Sequence, residues 1–190
     1  MTDESLVKET IADGQDRMSK AIDALKRDLA TVRTGRANPS LVEDLRIDYY
    51  GTPTPLKQLA SVSVPEARLL TIQPWDKGSL PAIEKAIQKS DLGLNPSSDG
   101  NVIRLAIPAL TEERRKELVK VVHKKVEEGR VEIRNIRRDA HELLRDFKKE
   151  KEISEDQEFS AQEDLQKVTD RFIADADKIG QEKEQELLEV

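Results

Sequence analysis

Arg130-Val-Glu-Ile-Arg134-Asn-Ile-Arg137-Arg138-Asp-Ala-His141 is the centre of a longer stretch, Thr111 to about Lys151, whose two periodicities decide the fold. An α-helix advances by about 100° per residue, so Lys116, His123, Arg130, Arg134, Arg137, His141 and Lys148 share a sector of about 60°. Leu118, Val122, Ile133, Ile136, Ala140, Leu143 and Phe147 gather in a second sector roughly 110–120° away. One face therefore packs into a bundle. The other, turned away from that core, presents cations to something polyanionic. Taken alone, such a stripe is most simply a solvated helix face, so the rest of the chain has to choose between the two readings.

Two further helices provide the bundle. Val7, Ile11, Met18, Ile22, Leu25, Leu29 and Val32 recur mostly at three- and four-residue steps, with Gly14 on the same stripe. Gly35 and Pro39 end that helix. The helix after Pro108 takes Thr111 as its expected N-cap, with acids in the first turn that suit the helix dipole. The last opens on Ser154-Glu-Asp-Gln157, a capping box, and carries Ala161, Leu165, Val168, Phe172, Ala176 and Ile179 as its seam.

Between the first two helices the pattern shortens. Leu45–Tyr50, Leu59–Val64, Leu69–Ile72 and Asn101–Ile107 read as strands, and Ser79–Lys89 as a helix stopped by Gly93. Gly51-Thr-Pro-Thr-Pro55 reads as a turn-rich connection. The expected fold class is thus α+β: a long antiparallel three-helix bundle from residues 1–34 and 109–190, with a small β/α/β domain, residues 35–108, inserted in it. The chain leaves the bundle near Arg33, Gly35, Arg36, Asn38 and Pro39 and returns near Pro108 and Thr111. These residues form an expected two-stranded hinge, which permits swinging while limiting its direction.

Composition narrows the function. Charged residues make up 37% of the 190 and apolar ones only 36%, a balance suited to long exposed helices. There is no cysteine, which excludes disulfides, thiol chemistry and Cys-ligated zinc. No apolar run approaches the roughly 20 residues a bilayer requires, and the acidic Met1-Thr-Asp-Glu start lacks a signal or transit pattern. A cytoplasmic protein is expected. The net charge of −6 conceals an asymmetry: residues 111–151 hold 14 basic and 10 acidic side chains, residues 152–190 only 4 basic and 13 acidic. Docking onto a polyanion follows the local charge rather than the average.

Catalytic signatures are missing. No phosphate-cradling Gly-rich loop occurs, and His141-Glu142-Leu-Leu-Arg145 has Arg where a zinc-protease helix needs its second His. With only His123 and His141 in the chain, a His-based metal site is not expected. The expectation is a non-enzyme with no catalytic residues, no metal and no cofactor.

Six blocks in order then carry a resemblance: Arg33-Thr-Gly-Arg-Ala-Asn-Pro-Ser, Tyr49-Tyr-Gly-Thr-Pro-Thr-Pro-Leu, Ser90-Asp-Leu-Gly-Leu-Asn-Pro, Leu110-Thr-Glu-Glu-Arg-Arg-Lys, Arg134-Asn-Ile-Arg-Arg-Asp-Ala and Lys149-Glu-Lys-Glu-Ile-Ser-Glu-Asp. Over essentially its full length the chain resembles the bacterial ribosome recycling factors. The resemblance implies an L-shaped molecule, acting as a monomer, that binds the large ribosomal subunit after termination. With elongation factor G and GTP, such a factor splits the ribosome so that mRNA and deacylated tRNA leave. It implies that Arg134 and Arg137 touch ribosomal RNA, and that Arg115, Arg33 and Arg36 match basic positions of the family. With the stripe added, the expected rRNA-binding set is Arg134, Arg137, Arg138, Arg130, Arg115 and Lys116. The acidic last helix is expected to keep clear of RNA. Two rivals remain, a coiled-coil adaptor for an acidic protein and a general RNA chaperone.

Overall fold

The computed structural model describes residues 3–189. Three long helices, α1 (Asp3–Ala30), α3 (Glu112–Lys149) and α4 (Glu155–Leu188), pack pairwise on one another. Cross-helix neighbours run in opposite directions along α3: Arg17 meets Asp139 and Gly129 faces Leu25, while His123 meets Glu184 and Arg137 meets Gln166. α3 is therefore antiparallel to both α1 and α4.

The apolar seams form the core, with local shifts. Met18, Ile22, Leu25 and Leu29 of α1 are buried as expected, with Thr10 and Gly14 completing the row. On α3, Leu143, expected on the seam, is 44% exposed, and Leu144 is fully buried in its place. Leu144 continues the four-residue step from Ala140 along the buried line, whereas Leu143 sits a turn's fraction off it. On α4 the buried positions are Glu158, Ala161, Leu165, Thr169, Phe172, Ala176, Gly180 and Leu187, with Val168 and Ile179 only half-buried. Thr169 pays no hydroxyl penalty there, because its Oγ1 donates to the Leu165 carbonyl at 2.8 Å.

The turn between α3 and α4 is closed from both sides. Lys151 takes φ +60°, the Lys151 N–H donates to the Lys148 carbonyl at 3.0 Å, and the Glu152 N–H donates to Phe147 at 2.9 Å. That is a Schellman closure with Lys in glycine's usual place. Ser154 Oγ then accepts from the Gln157 N–H at 3.2 Å, and Gln157 Oε1 from the Ser154 N–H at 2.8 Å, the expected capping box.

The chain divides into two compact units at Arg33/Thr34 and Thr111/Glu112. In the inserted unit, β1 (Arg46–Tyr49) and β2 (Thr52–Pro55) form a hairpin, and β3 (Ala60–Glu66), β4 (Leu69–Pro74), β5 (Pro96–Ser98) and β6 (Ile103–Ala106) form an antiparallel sheet of order β3-β4-β6-β5. The helix α2 (Leu80–Lys89) lies between β4 and β5 in sequence. Two strands were not apparent from the residues. Thr52–Pro55, read as a connection, pairs Tyr49 with Thr52 across Tyr50-Gly51, both at positive φ as a two-residue hairpin turn requires. β2 accommodates two prolines because it pairs on one side only. Pro96–Ser98 has no apolar alternation at all and is a strand only through its register with β6. Leu70, Ile72, Ile103 and Leu105 of the central strands pack with Ile83 and Ile87 of α2 into a second core of their own.

Candidate nucleic-acid interface

The basic stripe of α3 is where the tertiary structure changes the picture most. It does not turn away from the bundle. Several of its members lie along the α4 edge and are met there by α4 side chains. His123 Nε2 lies 3.0 Å from Glu184 Oε2, and Arg130 Nε donates to Asp177 Oδ1 at 2.6 Å. Arg137 Nη1 donates to Gln166 Oε1 at 2.9 Å, and Lys148 Nζ pairs with Glu158 at 2.5 Å. The cause is angular: a sector about a quarter-turn from the buried line is a flank, and in a three-helix bundle a flank borders a neighbouring helix. The acids of α4 thus do not keep away from the stripe; they hold part of it.

The members differ sharply in availability. Arg130 is the most committed: besides Asp177, which it also meets through Nη2, its Nη1 donates to Glu127 Oε2 at 2.9 Å. These two hydrogen bonds, Glu127 first, raise its pKa above the ordinary arginine value. Arg134 is 47% exposed and spends Nη1 on Glu127 Oε1 at 3.1 Å. Accepting from both arginines pulls Glu127 below the usual carboxylate range. Arg138 is exposed and reaches only Asn135 Oδ1, at 3.4 Å. Lys116 is exposed and pairs with Glu112 at 2.9 Å. Arg115 stands apart from the others: it is half-buried, with Nε enclosed and without a hydrogen-bond partner.

Arg134 and Arg138 lead on to two exposed cations absent from the expected set, Arg145 and Lys149. Continuing from Arg134 by steps of four, seven and four keeps one helix side, so the signal was present in the spacing. It was hidden by following the flank sector that Arg130 and Arg137 occupy.

The expected hinge residues are placed as follows. Gly35 is buried at φ +78°, and a Cβ there would stand 3.3 Å from Leu110 Cγ. Asn38 Oδ1 accepts from the Ser40 N–H at 3.0 Å and caps the short 3₁₀ turn that Pro39 opens. The Ala37 N–H donates to Ala67 and the Ile107 N–H to Arg68, both at 2.8 Å. Gly35, Arg36, Asn38, Pro39, Pro108 and Thr111 all belong to the inserted unit, and Arg33 is the last residue of the helical unit before the insertion. Among the described residues, no His/Asp/Glu cluster has metal-holding geometry and no helix is long and apolar enough to cross a membrane.

The family model for ribosome recycling factor matches residues 25–188. The ribosome-recycling factor of Syntrophomonas wolfei is 60% identical over 185 residues, covering 97% of this chain and 100% of that one. That of Brevibacillus brevis is 59% identical over 178 residues, covering 94% and 96%. A solution structure of ribosome recycling factor superposes with a TM-score of 0.77 at 44% identity, covering 97% of this chain and 98% of that one. A T. thermophilus ribosome recycling factor, placed with E. coli elongation factor G on the E. coli post-termination complex, gives 0.66 at 50% identity, covering 99% and 100%.

Proposed function

This chain belongs to the ribosome recycling factor family, and from that premise we propose that it binds the large ribosomal subunit of post-termination complexes and, with elongation factor G and GTP, splits the ribosome so that mRNA and deacylated tRNA leave. The observation that carries the reading is the end-to-end match with a factor seen beside elongation factor G on the post-termination complex. The family is non-enzymatic. Hydrolysis of GTP belongs to the partner, and this chain works in the cytoplasm by binding and by moving.

The ribosomal RNA contact is assigned to α3. A guanidinium presents a rigid fork of donors that bridges phosphate oxygens, and folded RNA is recognised through phosphate position without base-reading aromatics. Arg134 and Arg138 are exposed, and Arg137 contributes from the α4 edge after giving up its neutral partner Gln166. Arg130 serves chiefly to fasten α3 to α4. Hinge motion is assigned to the two crossings at Arg33/Thr34 and Thr111/Glu112, supported by the separate cores on either side. A single common rotational correlation time for both units by NMR relaxation would exclude it.

The test is sedimentation. On sucrose gradients the chain is expected to travel with large subunits, and addition of factor G and GTP to split 70S particles. Arg134→Ala and Arg137→Ala should each weaken large-subunit binding by at least about tenfold, the value of a charge-assisted hydrogen bond of roughly 1.5–3 kcal/mol. Steep weakening with salt should accompany binding, because phosphate contacts release counterions. Normal binding by both variants would remove α3 from the interface. Equal affinity for unrelated RNAs would mark a general chaperone, and no ribosome affinity an adaptor.

A further inference from the structure

Glu127 occupies an unusual place for an acid on a surface meant for phosphate. Its Oε1 accepts from Arg134 at 3.1 Å and its Oε2 from Arg130 at 2.9 Å, so one carboxylate spans two arginines of α3. The bridge is at the surface: the side chains of Glu127 and Arg134 are 49% and 47% exposed. A phosphate reaching Arg134 therefore meets a second anion already on the same guanidinium. Arg130 has no slack to resolve the conflict, since its other nitrogens are held by Asp177.

Resting on the phosphate-binding reading of α3, we propose that Glu127 competes with phosphate for Arg130 and Arg134 and so keeps weakly anchored, loosely structured RNA off the site. Like charges at one guanidinium repel, and the half-exposed Glu127 carboxylate has room to swing outward when phosphate arrives. Doing so breaks both of its ion pairs, a fixed loss for any incoming RNA. A flexible strand that offers Arg134 one phosphate at a time regains little. A folded target that presents phosphates in register to Arg134, Arg138 and Arg145 together regains the loss several times over. A loss common to every RNA leaves the ratio of affinities unchanged, but it drops a weak binder below its working concentration while a multiply anchored one stays bound. It also accounts for an acid placed where affinity alone would favour none.

Glu127→Gln keeps the shape and one acceptor oxygen while deleting the charge. Glu128→Gln is the matched control: it is exposed, changes net charge equally, and its carboxylate lies 4.0 Å from Lys124 rather than against either arginine. Binding is measured by fluorescence anisotropy for a labelled oligo-uridylate and by co-sedimentation for purified large subunits. Glu127→Gln should tighten oligo-uridylate and large-subunit binding by a similar factor, roughly fivefold relative to Glu128→Gln, and lose its gain when Arg134→Ala is added. Equal gains from the two Gln variants would reduce the effect to net charge and overturn the proposal. Weaker oligo-uridylate binding by Glu127→Gln would overturn it too, making Glu127 a support for the arginines. A gain surviving Arg134→Ala would overturn it by placing the effect elsewhere. Failure of the underlying reading looks different: Arg134→Ala alone would then bind large subunits as well as the unsubstituted chain does.

Discussion

The two units bury their apolar residues in different geometries. In the helical unit the core is a line: successive layers from α1, α3 and α4, such as Gly14, Ala140 and Leu165, each meet chiefly their own neighbours. In the inserted unit the core gathers about a point, where Leu70, Ile72, Ile83, Ile87, Ile103 and Leu105 from both central strands and α2 meet. A linear core leaves long flanks on which charge accumulates without entering the interior. A central core leaves only short elements at its surface. The difference explains why a long basic array is found on α3 rather than on the short elements of the inserted unit.

The comparison breaks first if the units do not unfold separately. Phe172→Ala removes a buried ring from α4 and is expected to cost about 3–5 kcal/mol, with the loss confined to the helical unit. Hydrogen exchange is the check: amides of β4 and β6 should keep their protection while those of α3 and α4 lose it. Equal loss in both would show one cooperative body. Leu70→Ala is the reciprocal substitution, at a fully buried position of β4. It should cost about 2–5 kcal/mol and expose the sheet while sparing the helices. Ribosome binding should then survive while splitting is lost.

Smaller effects sharpen the picture along the linear core. Lys148→Ala strips the partner from Glu158, whose side chain is only 8% exposed and keeps Gln162 as a donor at 2.9 Å. An uncompensated acid of that kind should cost about 1–3 kcal/mol in denaturant titration. An unchanged midpoint would mean that water has taken over the role of Lys148. Two glycines should then respond with opposite signs. A Cβ at Gly180 would lie 2.6 Å from Val126 Cγ2, a stiff buried side chain, whereas at Gly14 the nearest atoms, on Ala140 and Leu165, are 3.8 Å away. Gly180→Ala should lower stability by about 1 kcal/mol once helix propensity offsets part of the overpacking, and Gly14→Ala should raise it by about 0.5–1 kcal/mol. Matching signs in thermal melts would contradict the layer-by-layer account.

The least effect is expected at the surface of the inserted unit. Asp76 accepts from the Gly78 N–H at 2.9 Å and from the Tyr50 and Tyr49 hydroxyls at 3.2 and 3.3 Å. The Gly78 bond foremost, with the tyrosines, holds its carboxyl below the ordinary aspartate range against the opposing pull of burial. A depressed folded pKa stabilises above the unfolded value of about 3.9 and loses that contribution as pH falls through the lower folded value. Asp76→Asn should therefore lower the inserted unit's stability slightly at neutral pH and flatten its acid limb below about pH 4, where the two proteins converge. An unaltered acid limb in a pH series of melts would remove Asp76 from that role.

Much of this molecule was legible in its residues because the information is local. The capping box at Ser154 and the seams at three- and four-residue steps are properties of one chain segment at a time, and they place the three helices and the insertion, although α1 ends at Ala30, before the expected stop at Gly35 and Pro39. The six family blocks settled kinship in the same way. Tertiary structure decided what lies across from each face. Periodicity measures the angle between the basic stripe and the apolar seam, but not that α4 passes along that flank with Glu184, Asp177 and Glu158. It put Arg137 and Arg130 on one partner helix, and left Arg134 beside Glu127 as the accessible end. It likewise made strands of Thr52–Pro55 and Pro96–Ser98, whose residues favour turns, because a strand is completed by hydrogen bonds to a distant segment. Intrinsic propensity and spacing belong to the residues themselves; pairing belongs to the space between elements, which exists only once the chain has folded.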